Sequence, residues 1–243
     1  MNIPNRHRTH LLLKRILDIV VSISALAILS PLLILIAVII KFDSPGPVLF
    51  RQGRLTKNGK EFPMLKFRSM VQNAEKMGTG LFNFANDARI TRVGNFLRKT
   101  SLDELPQFLN VLCGDMSLVG PRPPVTYELG NYENLNATFK NRFAVNAGIT
   151  GLAQVSGRNE IPWDEKVAFD NQYIDLFQKH GIFLDLKILI KTAIQVFITK
   201  KSDIYEIKDP SLEGLSEEEI ARLANEAVIA KATKKEEKNG SQQ

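Results

Sequence analysis

The sequence predicts an α+β, mainly helical fold: a monotopic, membrane-associated domain with an N-terminal re-entrant helix, a β-hairpin and interfacial helices. Three observations carry this. Residues 16–40 are an almost unbroken apolar run, interrupted at Ser30-Pro31. A hairpin signal follows within 20 residues of it, and most of the remaining chain has helical spacing.

The run is long enough to cross a bilayer, which takes about 20 apolar residues. Pro31 lacks an amide hydrogen and its ring crowds the preceding turn, so a straight helix is disfavoured there. Arg6, Arg8, Lys14 and Arg15 precede the run, and Lys41, Arg51, Arg54, Lys57 and Lys60 follow it. Cations mark the cytoplasmic side of a membrane segment, and both flanks carry them. A helix that enters, bends at Ser30-Pro31 and leaves by the same face satisfies both facts. A Pro-kinked single crossing is the competing reading. A secretory signal is disfavoured by length, because its apolar core spans about 7–15 residues.

The elements then follow in order. Asn58-Gly59 lies between two apolar runs and favours positive φ, so residues 48–70 read as a hairpin rising from the membrane surface. Residues 73–88 are poorly periodic and read as a mobile loop. Residues 90–97 and 105–112 read as helices on either side of Lys99-Thr100-Ser101. Residues 120–124, Gly-Pro-Arg-Pro-Pro, can be neither helix nor central strand and form a rigid extended turn. Residues 127–144 are polar and read as helical. Glycine-bearing turns at 148–151 and 157–159 bracket an expected short strand, 152–155. Residues 163–180 are helical in pattern. In 183–198, Lys187, Lys191 and Gln195 recur every four residues and form one narrow polar stripe on an otherwise apolar helix. That pattern suits a helix in the membrane plane or a buried amphipathic one.

The expected organisation is a membrane segment over 1–41, a catalytic domain over 42–202, and a charged tail over 203–243. Net charge is +6 overall; the tail contributes −4, so the body carries +10. A basic body beside an apolar anchor points to lipid headgroups or a phosphate-bearing substrate. Nucleic acid is not favoured, because no zinc-finger spacing, aromatic basic strand or basic heptad is present. In the tail, Ser216-x-x-Glu219 starts one exposed helix, and disorder follows as apolar content vanishes. The single cysteine, Cys113, permits no intramolecular disulfide and reads as a small core residue. His7, His10 and His180 do not cluster.

Three groups could carry chemistry. Asp103-Glu104 follows Arg98-Lys99-Thr100-Ser101. One reading is a capping box, Ser101-x-x-Glu104, with acids complementing a helix dipole. The other is a magnesium and phosphate site, since Mg²⁺ takes one or two carboxylates and fills its shell with phosphate and water. A carboxylate can also attack phosphorus directly. Pro121-Arg122-Pro123 presents an arginine fork on a rigid backbone, suited to phosphate or a nucleobase, or else is a solvated surface turn. Lys66 and Arg68 alternate along a strand and so share one face, either a binding face or the solvent side of the hairpin.

The order of these groups resembles the bacterial sugar transferases, also called monotopic phosphoglycosyl transferases. The matching runs are Lys14-Arg15-Ile16-Leu17-Asp18; Ser30-Pro31; Ser44-Pro45-Gly46-Pro47-Val48-Leu49-Phe50-Arg51-Gln52; and Lys66-Phe67-Arg68-Ser69-Met70. The central match runs from Arg98 through Leu102-Asp103-Glu104-Leu105-Pro106-Gln107 to Gly120-Pro121-Arg122-Pro123, and the last is 148–159, ending Gly157-Arg158-Asn159. The resemblance covers about residues 14–200.

It implies an enzyme that moves a sugar 1-phosphate from a UDP-sugar to undecaprenyl phosphate, releases UMP, and starts a glycoconjugate or polysaccharide. Asp103 matches the family's nucleophile, which holds a phosphosugar. Glu104 matches its magnesium-supporting partner, so Asp103 and Glu104 are also the implied metal residues. Lys66 matches a lysine that pairs with the catalytic aspartate; Lys66, Arg68, Arg98, Arg122 and Arg158 are the implied substrate-binding residues, and Ser30-Pro31 the break of a re-entrant helix. The implied place is the cytoplasmic face of the bacterial plasma membrane, with membrane lipids and a possible homodimer as partners. Larger relatives add crossings before this module, so the chain resembles the minimal form. Two other readings stay open: a membrane-anchored glycosyltransferase that releases UDP, and a non-enzymatic membrane-anchored binding protein.

Overall fold

The computed structural model describes residues 5–74, 77, 87–156 and 163–198. Helix α1 spans Asn5–Asp43 and is continuous through Pro31. The expected break at Ser30-Pro31 is thus not an interruption of the helix. Pro31 leaves the Ala27 carbonyl, its i−4 partner, without a backbone donor. The Ser30 hydroxyl donates to that same carbonyl at 2.8 Å. A side chain replaces the missing hydrogen bond.

The hairpin forms as expected. Strands β1 (Leu49–Leu55) and β2 (Glu61–Phe67) pair antiparallel, with Phe50 opposite Lys66 and Leu55 opposite Glu61. Asn58 and Gly59 take φ of 58° and 71° in the connecting turn. Helix α2 (Arg92–Thr100) starts on Thr91, whose side chain accepts from the Gly94 amide. It packs so closely that a Cβ at Gly94 would lie 1.9 Å from the Ser69 carbonyl oxygen. Helix α3 (Gln107–Cys113) leads into β3 (Met116–Val119). Its Asn110 side chain accepts from the Leu65 amide and donates to the Pro63 carbonyl, so it closes onto β2 as a strand would.

The polar stretch 127–144 is less helical than expected. It contains 3-10 turns at Tyr132–Asn134 and Arg142–Ala144 and one short helix, α4 (Ala137–Asn141). Strand β4 (Ala147–Thr150) runs parallel to β3. The expected strand at 152–155 is instead helix α5 (Leu152–Ser156). A short apolar run has no period that separates strand from helix, and here the strand lies one step earlier. Helices α6 (Trp163–His180) and α7 (Ile182–Ile198) complete the body.

Two apolar cores flank α1. The first joins Phe62, Met64, Val111, Val119, Tyr173, Phe177 and Ile188, with Leu11, Leu17 and Val21 of α1 against it. The second joins Ile36, Ile40, Phe67 and Leu97, with Leu32, Leu33 and Leu102 packed on it. Both halves of α1 therefore dock on one body. Between Ser22 and Ile36 no α1 residue is buried.

Polar locks hold the first half. Lys14 Nζ bonds Asp185 Oδ2 at 2.6 Å and the Val119 carbonyl at 2.8 Å, and Tyr173 donates to Asp185 Oδ1. Arg15 donates to the Val111 and Leu112 carbonyls at the end of α3, where a cation complements the helix dipole. Asp18 accepts from the Leu118 amide and the Ser117 hydroxyl.

On α7 the expected polar stripe divides. Lys187 and Lys191 are exposed, whereas Gln195 turns inward and donates to the Val155 carbonyl. Phe183, Leu186, Ile190 and Ile194 face out. Cys113 is exposed rather than a core residue, because it ends α3 at the surface. Most of the expected loop at 73–88, the 157–159 turn and the tail lie outside the described residues.

Candidate active site

Asp103 and Glu104 sit in a 3-10 turn, Leu102–Glu104, immediately after α2. The turn is set by Ser101, which ends α2 in the left-handed conformation at φ 57°, its amide bonding back to Arg98 and Leu97. A non-glycine residue there costs about 1–3 kcal/mol and persists where the surroundings enforce it. The expected capping box does not form: Ser101 makes no side-chain cap bond. Glu104 turns instead to two cations, with Lys66 Nζ at 3.0 Å and Arg122 Nη2 at 3.2 Å from the same Oε1.

The electrostatics separate the two carboxyls. Burial opposes ionisation of Glu104, but the charges and hydrogen bonds of Lys66 and Arg122 prevail and hold it well below the usual carboxylate range. Burial raises Asp103 to about 6, and the Glu104 charge adds to this, against the opposing charges of Lys66 and Arg98. Among the described residues no cation makes an ion pair with Asp103. Burial also pulls the Lys66 ammonium below its usual range despite Glu104. The turn thus holds one strongly anionic carboxylate locked between cations and one buried carboxylate that remains basic.

Arg122 is fixed from beneath. Prolines 121, 123 and 124 offer carbonyls but no amide donors. Each carbonyl of the run finds a separate partner. Pro121 accepts from the Gly148 amide at 2.9 Å, and Pro124 from the Leu55 amide at 3.1 Å. The Arg122 carbonyl accepts from Arg142 Nη2 at 2.6 Å, and Pro123 from Arg54 Nη1 at 2.7 Å. The approach of β4 requires glycine: a Cβ at Gly148 would lie 2.1 Å from the Gly120 nitrogen. The Arg122 guanidinium projects from this clamped loop, partly exposed, beside Glu104.

The structure therefore brings Lys66, Arg98, Asp103, Glu104 and Arg122 together. Arg98 is near enough for its charge to favour the ionised form of Asp103. Arg68 does not join them. It is buried and donates to the carbonyls of Ile40, Ser44 and Pro47 and to the Ser44 hydroxyl. β2 ends at Phe67, so the alternation that would place Arg68 beside Lys66 no longer applies; it ties the end of α1 to the next loop. Arg158 lies outside the described residues. Sequence reasoning missed Arg54 and Arg142. Both act on backbone carbonyls far along the chain, and no local pattern marks such a donor.

Among the described residues no group of three or more His, Cys, Asp or Glu side chains gathers. Two adjacent hard carboxylates do suit a magnesium ion that takes its remaining ligands from substrate phosphate and water. Only one oxygen of Glu104 carries the two cations, so the donor set fits such an ion.

Known proteins resemble this chain over most of its length. Residues 9–199 match the family model described as bacterial sugar transferase. The chain is 46% identical over 195 residues, 78% of its length, to the UDP-glucose:undecaprenyl-phosphate glucose-1-phosphate transferase of Escherichia coli, covering 41% of that protein. It is 44% identical over 200 residues, 76% of its length, to the undecaprenyl-phosphate galactose phosphotransferase of Salmonella typhimurium, covering 40% of it. It is 40% identical over 203 residues, 78% of its length, to the exopolysaccharide production protein ExoY of Rhizobium meliloti, covering 87% of it. The chain spans about two fifths of the length of the first two relatives.

Proposed function

The chain belongs to the bacterial sugar transferase family, and from that premise we propose that it transfers a sugar 1-phosphate from a UDP-sugar to undecaprenyl phosphate and releases UMP. One observation carries the reading: Asp103 is buried, basic and without an ion-pair partner among the described residues, directly beside Glu104 held between Lys66 and Arg122. The relatives named for glucose 1-phosphate and galactose phosphotransfer to undecaprenyl phosphate support the substrate class.

The reaction proceeds in two displacements. An Asp103 oxygen attacks the sugar-side phosphorus; the bond to the bridging diphosphate oxygen breaks, and UMP leaves with the electron pair. A phosphate oxygen of undecaprenyl phosphate then attacks the same phosphorus and displaces the Asp103 carboxylate. The product is a polyprenyl diphosphate sugar. Lys66, Arg98 and Arg122 provide fixed positive charge for the diphosphate, which is most of what phosphoryl transfer needs beyond positioning. A magnesium ion held by Asp103 and Glu104 with diphosphate oxygens would neutralise charge on the departing nucleotide. Its test is inhibition by excess chelator and recovery on adding magnesium.

The same proposal places the domain on the cytoplasmic face of the plasma membrane, with α1 re-entrant. Helix α1 is long and apolar enough to cross a membrane. Yet Lys14 and Ile40, at its two ends, are both fastened to one body. A helix crossing once would set them on opposite sides of about 30 Å of hydrocarbon, and the body to which both are fastened would have to lie on both sides. The exposed apolar stretch between Ser22 and Ile36 is the part to be inserted.

The deciding experiment incubates purified protein with UDP-sugar alone. The expected result is UMP release and one added phosphosugar mass on the wild type, and neither with Asp103→Asn. UDP as the nucleotide product, or turnover by Asp103→Asn, overturns the reading.

A further inference from the structure

Two apolar surfaces face outward. One is the outer side of α7, at Phe183, Leu186, Ile190 and Ile194. The other is a groove of about 310 Å³ between the C-terminal half of α1 and α2, lined by Ile36, Ile39, Arg92, Val93, Phe96 and Leu97. We propose that this groove receives the isoprenoid units nearest the phosphate of the polyprenyl acceptor, while membrane lipid covers α7. The proposal rests on the functional reading above.

Three observations carry it. The first is continuity with the nucleophile. Leu97 of the groove belongs to one apolar cluster with Ile36, Ile40 and Leu102, and Leu102 is the residue before Asp103. An isoprenoid chain lying on this cluster has its phosphate end at the Leu102–Glu104 turn. No other apolar cluster among the described residues reaches that turn: α7 contributes Leu184 and Leu189 to the other core, across the Lys14–Asp185 lock.

The second is the direction of α1. After the exposed apolar stretch its residues become buried again only at Ile36, and the groove begins there with Ile36 and Ile39. A lipid chain passing from hydrocarbon to the catalytic turn meets the groove at the point where α1 returns to the body.

The third is the lining itself. Five of its six residues are apolar, and Phe96 is 61% exposed on a helix that ends at the catalytic turn. The one charge, Arg92, lies in the first turn of α2, away from Asp103 and suited to the anionic surface of the bilayer. A nucleotide or sugar would find few hydrogen-bonding partners in such a lining; a hydrocarbon chain needs none.

The test uses the full chain in lipid nanodiscs and a polyprenyl phosphate carrying a diazirine in its first isoprene units. After irradiation, labels are expected on residues 36–42 and 92–97 and are displaced by unlabelled polyprenyl phosphate. Labels confined to α7, labels that excess unlabelled acceptor does not displace, or no labels on a protein that turns over overturn the proposal. In parallel, Phe96→Ser removes one aromatic ring from an exposed position and is expected to raise the KM for polyprenyl phosphate about tenfold, as burial of one such side chain implies. Val93→Ser serves as the second variant. An unchanged acceptor KM in both also overturns it. Formation of polyprenyl diphosphate sugar by the wild type separates the two levels: with product formed, a negative result removes the groove alone, and with no product the functional reading fails.

Discussion

Arg142 Nη2 donates to the backbone carbonyl of Arg122 at 2.6 Å. One buried guanidinium thus supports the loop that presents another. Arg142 also pairs with Asp170 Oδ2 at 2.9 Å and stacks 4.9 Å from the Trp163 ring, with both charged side chains almost wholly buried. Removing one partner of such a pair leaves a buried charge uncompensated, which costs about 3–5 kcal/mol. Arg142→Met is expected to lower unfolding stability by that order in chemical denaturation. Arg142→Lys keeps the charge but cannot bond Asp170 and the carbonyl with one planar fork. Its folded fraction is expected to show a raised KM for UDP-sugar, because Arg122 loses its support. A normal KM would make Arg142 a stability residue only.

Asp103 titrates at about 6, raised by burial and by the Glu104 charge. The nucleophile must be ionised, so the rate is expected to rise with pH and to level off above about 6. The sign can be checked in both directions. Glu104→Gln removes a negative neighbour, lowers the Asp103 pKa and moves the acid limb to lower pH. Lys66→Met removes a cation that favours ionisation and moves it to higher pH. The pH profile of kcat/KM for UDP-sugar, which reports the free enzyme, measures this across about two units either side of the limb. Limbs that stay in place in both variants would show that another group controls the rate.

Arg68 is expected to act on stability and not on substrate. It bonds three carbonyls and the Ser44 hydroxyl where α1 meets the hairpin. Charged hydrogen bonds of this kind contribute about 1.5–3 kcal/mol each when their partners stay buried. Arg68→Ala should lower the unfolding midpoint clearly, while the folded fraction keeps a near-normal KM for UDP-sugar. A large KM effect without loss of stability would restore the substrate role.

Arg68 also shows where sequence reading reaches its limit. Asn58-Gly59 marked the hairpin because both residues tolerate positive φ, a local property. Helix α6 was legible from its periodicity, and it ends at His180 as read. Lys66 and Arg68 looked equivalent by alternation, and only the end of β2 at Phe67 separates them. The pairing of Glu104 with Lys66, 38 positions away, instead of with Ser101, is tertiary. A capping box and a catalytic turn share one local pattern, and the cations that decide between them are distant in sequence. The helix at 152–156 was misread because five residues carry too little period.

The last prediction concerns α1 at Ser30-Pro31. Pro31 withholds the donor that the Ala27 carbonyl requires, and the Ser30 hydroxyl supplies it at 2.8 Å. In hydrocarbon an unsatisfied carbonyl costs several kcal/mol, so Ser30 is what makes Pro31 tolerable there. Ser30→Ala alone should therefore destabilise the membrane-inserted protein. Pro31→Leu alone should not, since leucine returns the backbone donor. Combining Ser30→Ala with Pro31→Leu restores the backbone donor and removes both residues that set this turn of α1 apart, leaving an uninterrupted apolar helix free to cross. This double variant is expected to keep its insertion and lose most activity. Single cysteines near residues 5 and 57 read the topology in intact cells. Both should be shielded from an impermeant thiol reagent in the otherwise native chain, and the first should become labelled in the double variant. Labelling of the first site in the native chain would mean that α1 crosses the membrane and that the docking of its two ends on one body does not hold there.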